Sequence, residues 1–536
     1  MIRAKGEPTR VAAPAAVALV ALAAAAIRTS PARAATPEPV ALPALEVLAS
    51  RVTDESGAGT IAAWSRDDLL EAAPRTLDEV LATEPSFSLY RRQSAVFGNP
   101  TSSGVSLRNT GATAASRTLV VLDGIPQNDP FGGWVSWARY DSATLDSLRI
   151  VGPSRAVVWG NQSPAGMIQL TGRDPWTPGH SVRASGGSQG SVGASAWSRQ
   201  VDRDQRTAVA AGGYFFETGG FRAVAPWQRG PIDERLDTTF AGGSLGGAWR
   251  PAEGLTLEPL ASYHYEDRGN GTPLSRNSTS AADFSLRLTA EEADWSWQVI
   301  AYHQERDFDS VFTSVNATRT AETLALNQYD VPARGTGGAW IVRGEWTDAL
   351  TLTGGADVRF LTGETRELVG TFRHRVAGGR QATQGLFGAL NWQPGADTVV
   401  EVGLRADWWQ LTRGQRTESL LATGATVRDE RQPDRDSWEP SASLEIRHDL
   451  ADDLTASASA GSSFRLPTLN ELHRPFRVRN DIVEANPALD PERFFSIAAG
   501  LEWQPSPEWE WRVEAFHHWI DDAIANVPVT DPARIA

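Results

Sequence analysis

Apolar and polar residues alternate with a period of two along most of the chain from about residue 180 onward. In Val400–Trp409 one face would carry Val400, Val402, Leu404, Ala406 and Trp408, and the other Glu401, Gly403, Arg405, Asp407 and Trp409. The segments Ala442–Arg447 and Trp509–Ala515 repeat this pattern. Successive side chains of a strand point to opposite faces, so each segment predicts a β-strand with one apolar face. That face would be the core of a soluble sandwich, or the lipid-facing side of an outer-membrane barrel.

The connections between the predicted strands alternate between short and long. Short turns are expected around residues 200–205, 249–254, 290–294, 347–351, 393–397, 448–453 and 504–508. Longer polar stretches occupy about 217–236, 266–280, 307–336, 363–384, 411–437 and 464–492. Transmembrane barrels have this asymmetry, with tight periplasmic turns and long outer loops, so the pattern favours a barrel over a sandwich. Trp249, Trp392, Trp408, Trp503 and Trp519 would suit its interfacial aromatic girdles, or could simply be packing residues.

This spacing gives about fifteen strands by residue 520, after which another loop begins. A barrel that closed on an odd strand would leave an unpaired edge in lipid. We therefore expect the sequence to be incomplete at its C-terminus, with several strands missing.

Residues 45–175 mix helical and strand patterns and predict a compact α+β domain. Thr76 and Glu79 have the spacing of a helix capping box, and Asp67 could cap a shorter helix before it. The stretches "RTLVVLDG" (117–124) and "DSLRIVGP" (146–153) predict short buried strands bounded by turn residues.

The N-terminus has the pattern of an export signal. Arg3, Lys5 and Arg10 precede the apolar stretch Val11–Ile27, and "ARA" (32–34) matches a cleavage site, which predicts a signal peptide over residues 1–34. A transmembrane anchor is the alternative, but the apolar stretch is short and contains a proline.

Composition narrows the function further. The 536 residues carry a formal net charge of −15, which argues against nucleic acid as a partner. Cysteine is absent, which excludes disulfides, a cysteine nucleophile and thiolate metal sites. No nucleotide-binding P-loop, G-x-S-x-G motif or Ser-His-Asp arrangement is visible, and the adjacent His517 and His518 would lie on opposite faces of a strand. We predict neither an enzyme nor a resident cofactor or metal.

Two loops have the composition of binding tips. "LDGIPQNDPFGGWVSW" (122–137) ends a strand in glycines and aromatic rings, and "YRRQSAVFGNPTSSG" (90–104) contains two adjacent arginines. The rings of the first loop could contact a ligand or wedge the loop against neighbouring structure. Arg91 and Arg92 could meet an anionic ligand or pair with acidic side chains.

Several of these segments resemble the TonB-dependent outer-membrane receptors, which have an N-terminal plug inside a barrel. "LVVLDGIPQND" (119–129) and "LDSLRIVGPSRAVVWGNQSPAGMIQLTGR" (145–173) are similar to the plug of that family. "SFRLPTLNELHRPF" (463–476) and "ANPALDPERF" (485–494) resemble its outer-loop segment. "LPALEVLASRV" (42–52) resembles, more weakly, the box that contacts TonB.

The fold class implied by this resemblance is a membrane β-barrel of the 22-stranded type with an α+β plug domain inside the lumen. The barrel would be C-terminally incomplete in this sequence. The implied domains are a signal peptide (1–34), an N-terminal segment with a TonB box (35–53), a plug (54–175) and the barrel (176–536). The expected TonB contacts are Leu45, Glu46, Val47, Leu48, Ala49 and Ser50. The candidate ligand-binding residues are Arg91, Arg92, Asn128, Phe131, Trp134, Trp137 and His473.

The implied function is energised uptake of a scarce ligand, a ferric siderophore or a cobalamin-type molecule, into the periplasm of a Gram-negative-type bacterium. The implied partners are the TonB energy-transducing complex of the inner membrane, outer-membrane lipid, and a small-molecule or metal-chelate ligand. A haem or glycan receptor of the same architecture is an alternative, with His473 as the candidate haem ligand. A passive outer-membrane pore or adhesin, and a secreted β-rich enzyme or carbohydrate-binding protein, are further alternatives.

Overall fold

The computed structural model describes residues 60–72, 76–111, 113–478, 481–506 and 508–527. The expected signal peptide and the expected TonB contacts at Leu45–Ser50 lie outside these residues. The first described region is a small α+β domain, the plug. Its elements are β1 (Thr60–Ser65), α1 (Arg66–Glu71), α2 (Leu77–Leu81), β2 (Phe87–Leu89), β3 (Val105–Leu107), β4 (Leu119–Leu122), β5 (Ile125–Pro126), β6 (Leu145–Val151), α3 (Pro153–Ala156) and β7 (Met167–Gly172).

A five-stranded sheet in the order β1-β6-β7-β4-β5 organises the plug, and only the β4–β7 pair is parallel. The predicted strands at 117–124 and 146–153 are confirmed as β4 and β6. The predicted capping residues are wrong. Ser65, not Asp67, caps α1 through a capping box with Asp68, and Thr76 makes no side-chain cap on α2. Glu79 instead accepts a hydrogen bond from the Ser94 hydroxyl at 2.8 Å, because tertiary packing offers it a partner outside the helix.

The second region is one large antiparallel sheet of sixteen strands. Its strands are β8 (Gly179–Gly186), β9 (Val192–Val201), β10 (Thr207–Thr218), β11 (Thr238–Ala252), β12 (Leu255–Thr272), β13 (Ser275–Glu291), β14 (Trp295–Val315), β15 (Glu322–Thr347), β16 (Leu350–Val369), β17 (Arg373–Gly395), β18 (Thr398–Leu420), β19 (Thr426–Arg431), β20 (Arg435–Ala451), β21 (Leu454–Arg465), β24 (Glu492–Ser506) and β25 (Trp509–Asp521). Helix α4 (Leu469–His473) and the hairpin of β22 (Phe476–Val478) and β23 (Asp481–Val483) lie between β21 and β24.

All strands of the large sheet except β19 follow one path from β8 to β25, each paired with the next. The charged face of this sheet encloses the plug and the apolar face points away from it. On β18, Glu401, Arg405 and Asp407 are buried, whereas Leu404 is 60% exposed. A soluble sandwich would bury the apolar set instead. The arrangement is therefore that of a barrel wall whose outer surface meets lipid.

Tight turns join the strands at one end of the sheet, at the predicted positions between β9 and β10, β11 and β12, and onward to β24 and β25. The expectation of long irregular loops at the other end is wrong for four connections. Residues 266–280, 307–336, 363–384 and 411–437 are mostly strand, and the residues outside strands are only 273–274, 316–321, 370–372, 421–425 and 432–434. The strands continue pairing beyond the segments in which apolar and polar residues alternate regularly, so the period-two signal is lost there. None of the described helices is long and apolar enough to cross a membrane.

Candidate functional site: the plug and the outer mouth of the barrel

Asp129 holds the glycine-rich loop after β4 in a turn. The Asp129 carboxylate accepts hydrogen bonds from the backbone N–H groups of Phe131 (2.9 Å) and Gly132 (2.8 Å). Gly133 takes a φ of +75°, a conformation that a side chain disfavours. Burial raises the pKa of Asp129 despite these bonds. The loop is thus a preformed turn with a fixed shape.

The aromatic rings of this turn are wedged against the barrel wall. Phe131 and Trp134 are buried with Phe308 of β14, and the centroids of the Trp134 and Phe308 rings are 5.9 Å apart. The backbone of Gly363 on β16 lies so close to Phe131 that an added Cβ would come within 2.8 Å of it. Leu469 of α4 completes this apolar layer. In this conformation neither ring is open to a ligand.

Asn128 and Trp137 serve the interior of the plug. The Asn128 side chain accepts from the Val120 N–H at 2.9 Å and donates to the Thr118 carbonyl oxygen at 3.1 Å, which ties the turn to β4. Trp137 is fully buried and lies 6.1 Å, centroid to centroid, from the ring of Phe87. Their assignment as ligand-binding residues stays a prediction, and the contacts observed here are structural.

Arg91 and Arg92 are exposed on the segment that follows β2. This segment lies at the end of the barrel opposite the tight turns, because the Val96 carbonyl oxygen accepts from the Thr238 hydroxyl at 2.5 Å and the Ala95 carbonyl oxygen from Arg268 at 2.7 Å. No carboxylate among the described residues pairs with either guanidinium. Arg91 and Arg92 therefore place two cations at the outer mouth that have no counter-ion in the described part of the chain.

The segment predicted as an outer loop folds into the lumen and covers the plug. Thr468 and Glu471 form a capping box that starts α4. The N–H of Asn470 donates to the Phe131 carbonyl oxygen at 3.0 Å, and the N–H of Leu466 donates to the side chain of Asn161 at 2.8 Å. Residues 466–473, which include α4, are thus hydrogen-bonded to two separate plug loops.

His473 ends α4 against the wall and not in an open pocket. Its ring lies beside the backbone of Gly379 on β17 and Gly414 on β18, where a Cβ would come within 2.8 Å and 2.6 Å of ring atoms. Burial lowers the pKa of His473 to about 4, so the ring is neutral at pH 7. A ligand could reach it only if α4 moved.

A buried ion network joins the plug, α4 and two barrel strands, and no sequence motif predicted it. Arg117 of the plug donates to both oxygens of Glu492 on β24, at 3.1 and 2.5 Å. Arg465 at the end of β21 donates to Glu492 at 2.5 Å and to Glu471 of α4 at 2.9 and 3.1 Å. The only sequence feature that pointed to this network was the position of Arg117 and Arg465 within or beside the segments that resemble the receptor family.

Further polar contacts hold the plug all around the lumen. They include Arg155–Glu401 (2.8 Å), Ser154–Glu445 (2.6 Å), Arg405 to the Val158 carbonyl oxygen (2.9 Å), Arg359–Gln162 (3.0 Å) and Arg108–Glu514 (2.8 Å). On the β9–β14 side a cavity of about 210 Å³ separates the plug from the wall. Arg139 of the plug lines it, and burial lowers the pKa of that guanidinium to about 10, still well above neutrality. These polar bonds hold the plug in the lumen together with the apolar layer of Phe131 and Trp134.

Family models match both regions of the chain. The model described as TonB dependent receptor-like, beta-barrel matches residues 211–535, and the TonB-dependent Receptor Plug Domain matches residues 53–167. The chain belongs to the TonB-dependent receptor family. Members of this family are outer-membrane transport receptors, not enzymes; they work with TonB and bind small ligands such as siderophores. No curated protein matches this chain.

Solved structures of receptors share this fold. The ferric yersiniabactin uptake receptor FyuA from Yersinia pestis has a TM-score of 0.66 at 13% identity, covering 87% of this chain and 73% of that one. The copper transporter OprC has a TM-score of 0.69 at 19% identity, covering 88% and 72%. A ferric enterobactin receptor (PfeA) mutant from Pseudomonas aeruginosa has a TM-score of 0.62 at 13% identity, covering 86% and 71%. At these identities the likeness shows the fold alone.

Proposed function

We propose that this receptor takes up a scarce anionic ligand of the ferric siderophore type, with cobalamin-type molecules as the second class, and delivers it to the periplasm. The observation that carries the proposal is a pair of guanidinium groups, Arg91 and Arg92, that lie on the outer face of the plug and have no counter-ion among the residues that the structure describes. Guanidinium groups bind carboxylate and other anionic oxygens through charge-assisted hydrogen bonds. FyuA and PfeA are named in their structures for ferric siderophores, which supports the same class here.

Energy coupling through residues 35–53, including Leu45–Ser50, is part of this proposal. These residues precede β1, whose Ile61 carbonyl oxygen accepts from Arg512 on β25 at 2.7 Å, close to a tight turn of the barrel. Strand β1 is also an edge of the plug sheet, paired only with β6. A periplasmic partner that paired with residues 45–50 by strand addition could pull β1 away from β6 one hydrogen bond at a time. Breaking bonds in sequence needs less force than shearing them together.

The alternatives are less well supported by this geometry. A passive pore would not need a plug joined to the wall by buried ion pairs such as Arg117–Glu492. A haem receptor that used His473 would have to expose a ring that is packed against Gly379 and Gly414. A glycan ligand would leave the charges of Arg91 and Arg92 without a role.

The test is a titration of the purified receptor in detergent with ferric siderophores, cobalamin, haem and oligosaccharides, followed by intrinsic tryptophan fluorescence. The Arg91→Gln/Arg92→Gln variant should weaken binding of an anionic ferric siderophore about tenfold for each hydrogen-bonded guanidinium lost, since such a bond contributes about 1.5 kcal/mol. The matched control, Arg203→Gln/Arg206→Gln, changes two exposed arginines at the β9–β10 turn and should bind normally. Open-channel conductance without any saturable binding would contradict the receptor proposal.

Uptake by cells tests the coupling separately. Deleting residues 45–50 should abolish accumulation of the bound ligand in the periplasm while leaving its binding affinity unchanged. Loss of binding in the same deletion, or transport that continues without these residues, would show that the segment is not the TonB contact.

A further inference from the structure

The plug segment that carries Arg91 and Arg92 is fixed on both sides of the two arginines. Before them, the N–H of Tyr90 donates to the carbonyl oxygen of Gly104 at 2.9 Å, which continues the pairing of β2 with β3. After them, residues 94–98 form a compact turn. Because Arg92 is only two residues from the start of that turn, the position of the turn limits where the two guanidinium groups can reach.

The turn uses one carbonyl oxygen for its own hydrogen bonds and presents two others to the barrel wall. The N–H groups of Phe97 and Gly98 both donate to the carbonyl oxygen of Ser94, at 3.0 and 2.9 Å. The carbonyl oxygens of Ala95 and Val96 receive their hydrogen bonds from barrel side chains instead. Both residues are buried, and a buried carbonyl group without a donor would cost free energy. The wall therefore completes the hydrogen bonding of the turn.

Arg268 of β12 donates to both of these carbonyl oxygens with one planar guanidinium group. Its Nη2 donates to the Ala95 carbonyl oxygen at 2.7 Å and its Nε to the Val96 carbonyl oxygen at 3.3 Å. Its Nη1 and Nη2 also donate to the two carboxylate oxygens of Glu266, at 2.8 and 2.9 Å. The guanidinium group thus joins a wall carboxylate to two consecutive carbonyl groups of the plug. A lysine has no such planar arrangement of donors.

The guanidinium group of Arg268 is itself fixed in position by its neighbours on the wall. Glu266 is fully buried, and His264, two residues earlier on β12, lies 3.3 Å from its carboxylate. His264 is in turn 2.8 Å from the hydroxyl of Tyr214 on β10. Arg268 is only 3% exposed, so a ligand in the mouth cannot touch it in this conformation. Any effect of Arg268 on a ligand must therefore act through the turn.

The plug holds the opposite side of the same turn. Asp78 of α2 accepts a hydrogen bond from the Ala95 N–H at 2.8 Å, and Glu79 accepts one from the Ser94 hydroxyl at 2.8 Å. The turn is therefore clamped between α2 of the plug and β12 of the wall. Without the contacts of Arg268, the turn could rotate about its bonds to α2 and carry the preceding residues with it.

We propose that Arg268 is a positioning residue for the ligand-binding pair, because it holds the turn at 94–98 so that Arg91 and Arg92 face the mouth before the ligand arrives. A ligand that has to order its own binding residues binds more weakly, since the lost conformational freedom reduces the net binding free energy. Glu266 supports this role by orienting the guanidinium group of Arg268. The inference rests on the proposed function, in which Arg91 and Arg92 bind an anionic ligand.

The test uses the full chain in detergent with the variant Arg268→Lys, which keeps a positive charge beside Glu266 and loses the planar donors. The ligand probe is ferric enterobactin, an anionic chelate; if the wild type does not bind it, the ferric siderophore that binds most tightly in the titration above replaces it. We expect the affinity for the probe to fall about tenfold. In the ligand-free receptor, hydrogen exchange of residues 93–98 should become faster.

Arg306→Lys is the matched control. Arg306 is also a buried arginine of the wall, and it joins the carboxylate of Asp283, at 2.6 Å, to the carbonyl oxygens of Ala282 and Glu305. Those carbonyl groups belong to the wall and not to the plug. Arg306→Lys should therefore change neither the affinity for the probe nor the exchange of residues 93–98.

A double-mutant cycle separates positioning from a general structural role. In the Arg91→Gln/Arg92→Gln background, Arg268→Lys should change the affinity by less than about twofold, because the groups that it positions are gone. A purely structural contribution of Arg268 would lower the affinity equally in both backgrounds and would overturn the proposal.

Two further results would overturn it. Unchanged exchange of residues 93–98 in Arg268→Lys would show that Arg268 does not hold the turn. Unchanged affinity for the probe would show that the position of the turn does not control ligand binding. Normal binding by Arg91→Gln/Arg92→Gln alone would instead contradict the proposed function, and exchange of residues 93–98 would still report whether Arg268 holds the turn.

Discussion

The buried ion network around Glu492 gives the sharpest quantitative prediction, that Glu492→Gln loosens the plug and α4 together. Glu492 is fully buried and receives bonds from Arg117 of the plug and Arg465 of β21, and the N–H of Ile524 donates to it at 2.6 Å. Glutamine keeps the shape but removes the charge. Arg117 then has no counter-ion among the described residues, and Arg465 keeps only Glu471.

The expected magnitude is set by the cost of leaving a charge buried without its partner, about 3–5 kcal/mol. We expect the lower end, about 3 kcal/mol, because the glutamine oxygen still accepts one hydrogen bond. That energy corresponds to roughly a hundredfold rise in the population of the opened form. Opening should expose the backbone of β4 and of residues 466–473, because Arg117 and Glu471 connect both to Glu492.

Hydrogen exchange measured by mass spectrometry reads this opening segment by segment. Glu502→Gln is the matched control on the same strand, because Glu502 forms only an exposed pair with Arg512 at 3.4 Å, worth about 0–1 kcal/mol. Exchange in β4 and in residues 466–473 should rise roughly a hundredfold in Glu492→Gln and stay within about fivefold of wild type in Glu502→Gln. If the two variants exchange alike, the network does not hold the plug. If only residues 466–473 respond, Arg117 does not couple the plug to α4.

Three further predictions follow from single positions. Trp137→Ala should cost about 3–5 kcal/mol of plug stability, measured by chemical unfolding, without changing the ligand affinity of the folded receptor. For His473, burial lowers the folded pKa to about 4 from the ordinary 6.5, so undocked α4 binds protons more readily. The docking of α4 against the wall should weaken as pH falls from about 6.5 towards 4 and should not depend on pH above about 6.5. Hydrogen exchange of α4 should show this pH dependence in the wild type and lose it in His473→Gln. Gly160→Ala should lower the unfolding midpoint more than Gly424→Ala; both have φ above +70°, but only Gly160 meets a side chain, with Arg405 Nε 2.4 Å from an added Cβ.

The fate of the aromatic turn shows where sequence reasoning stopped. The glycines and aromatic rings of 122–137 predicted a loop whose rings either contact a ligand or wedge against neighbouring structure, and the structure shows a turn that Asp129 closes. Whether Phe131 and Trp134 meet ligand or wall depends on Phe308 and Leu469, which are far away in sequence. No local pattern carries that information.

The outer loops show a second limit. A strand is visible in sequence only where its two faces meet different surroundings. Within lipid, Leu404 and Arg405 alternate because one face is apolar and the other polar. In the outer parts of β14–β17, polar side chains occur on both faces and the regular alternation is lost, so continuous strands resembled loops in the sequence.

The sequence by itself determined the barrel wall, its tight turns, the α+β plug and the family, because each depends on short-range periodicity or on contiguous motifs. Only the tertiary structure decided which charges meet. It paired Arg117 with Glu492 across 375 positions of sequence, buried His473 behind α4, and left Arg91 and Arg92 without a counter-ion among the described residues. The sequence does not show whether a carboxylate neutralises a given arginine in the folded protein. Its role is set by the carboxylates that folding brings within reach, and those lie on other strands.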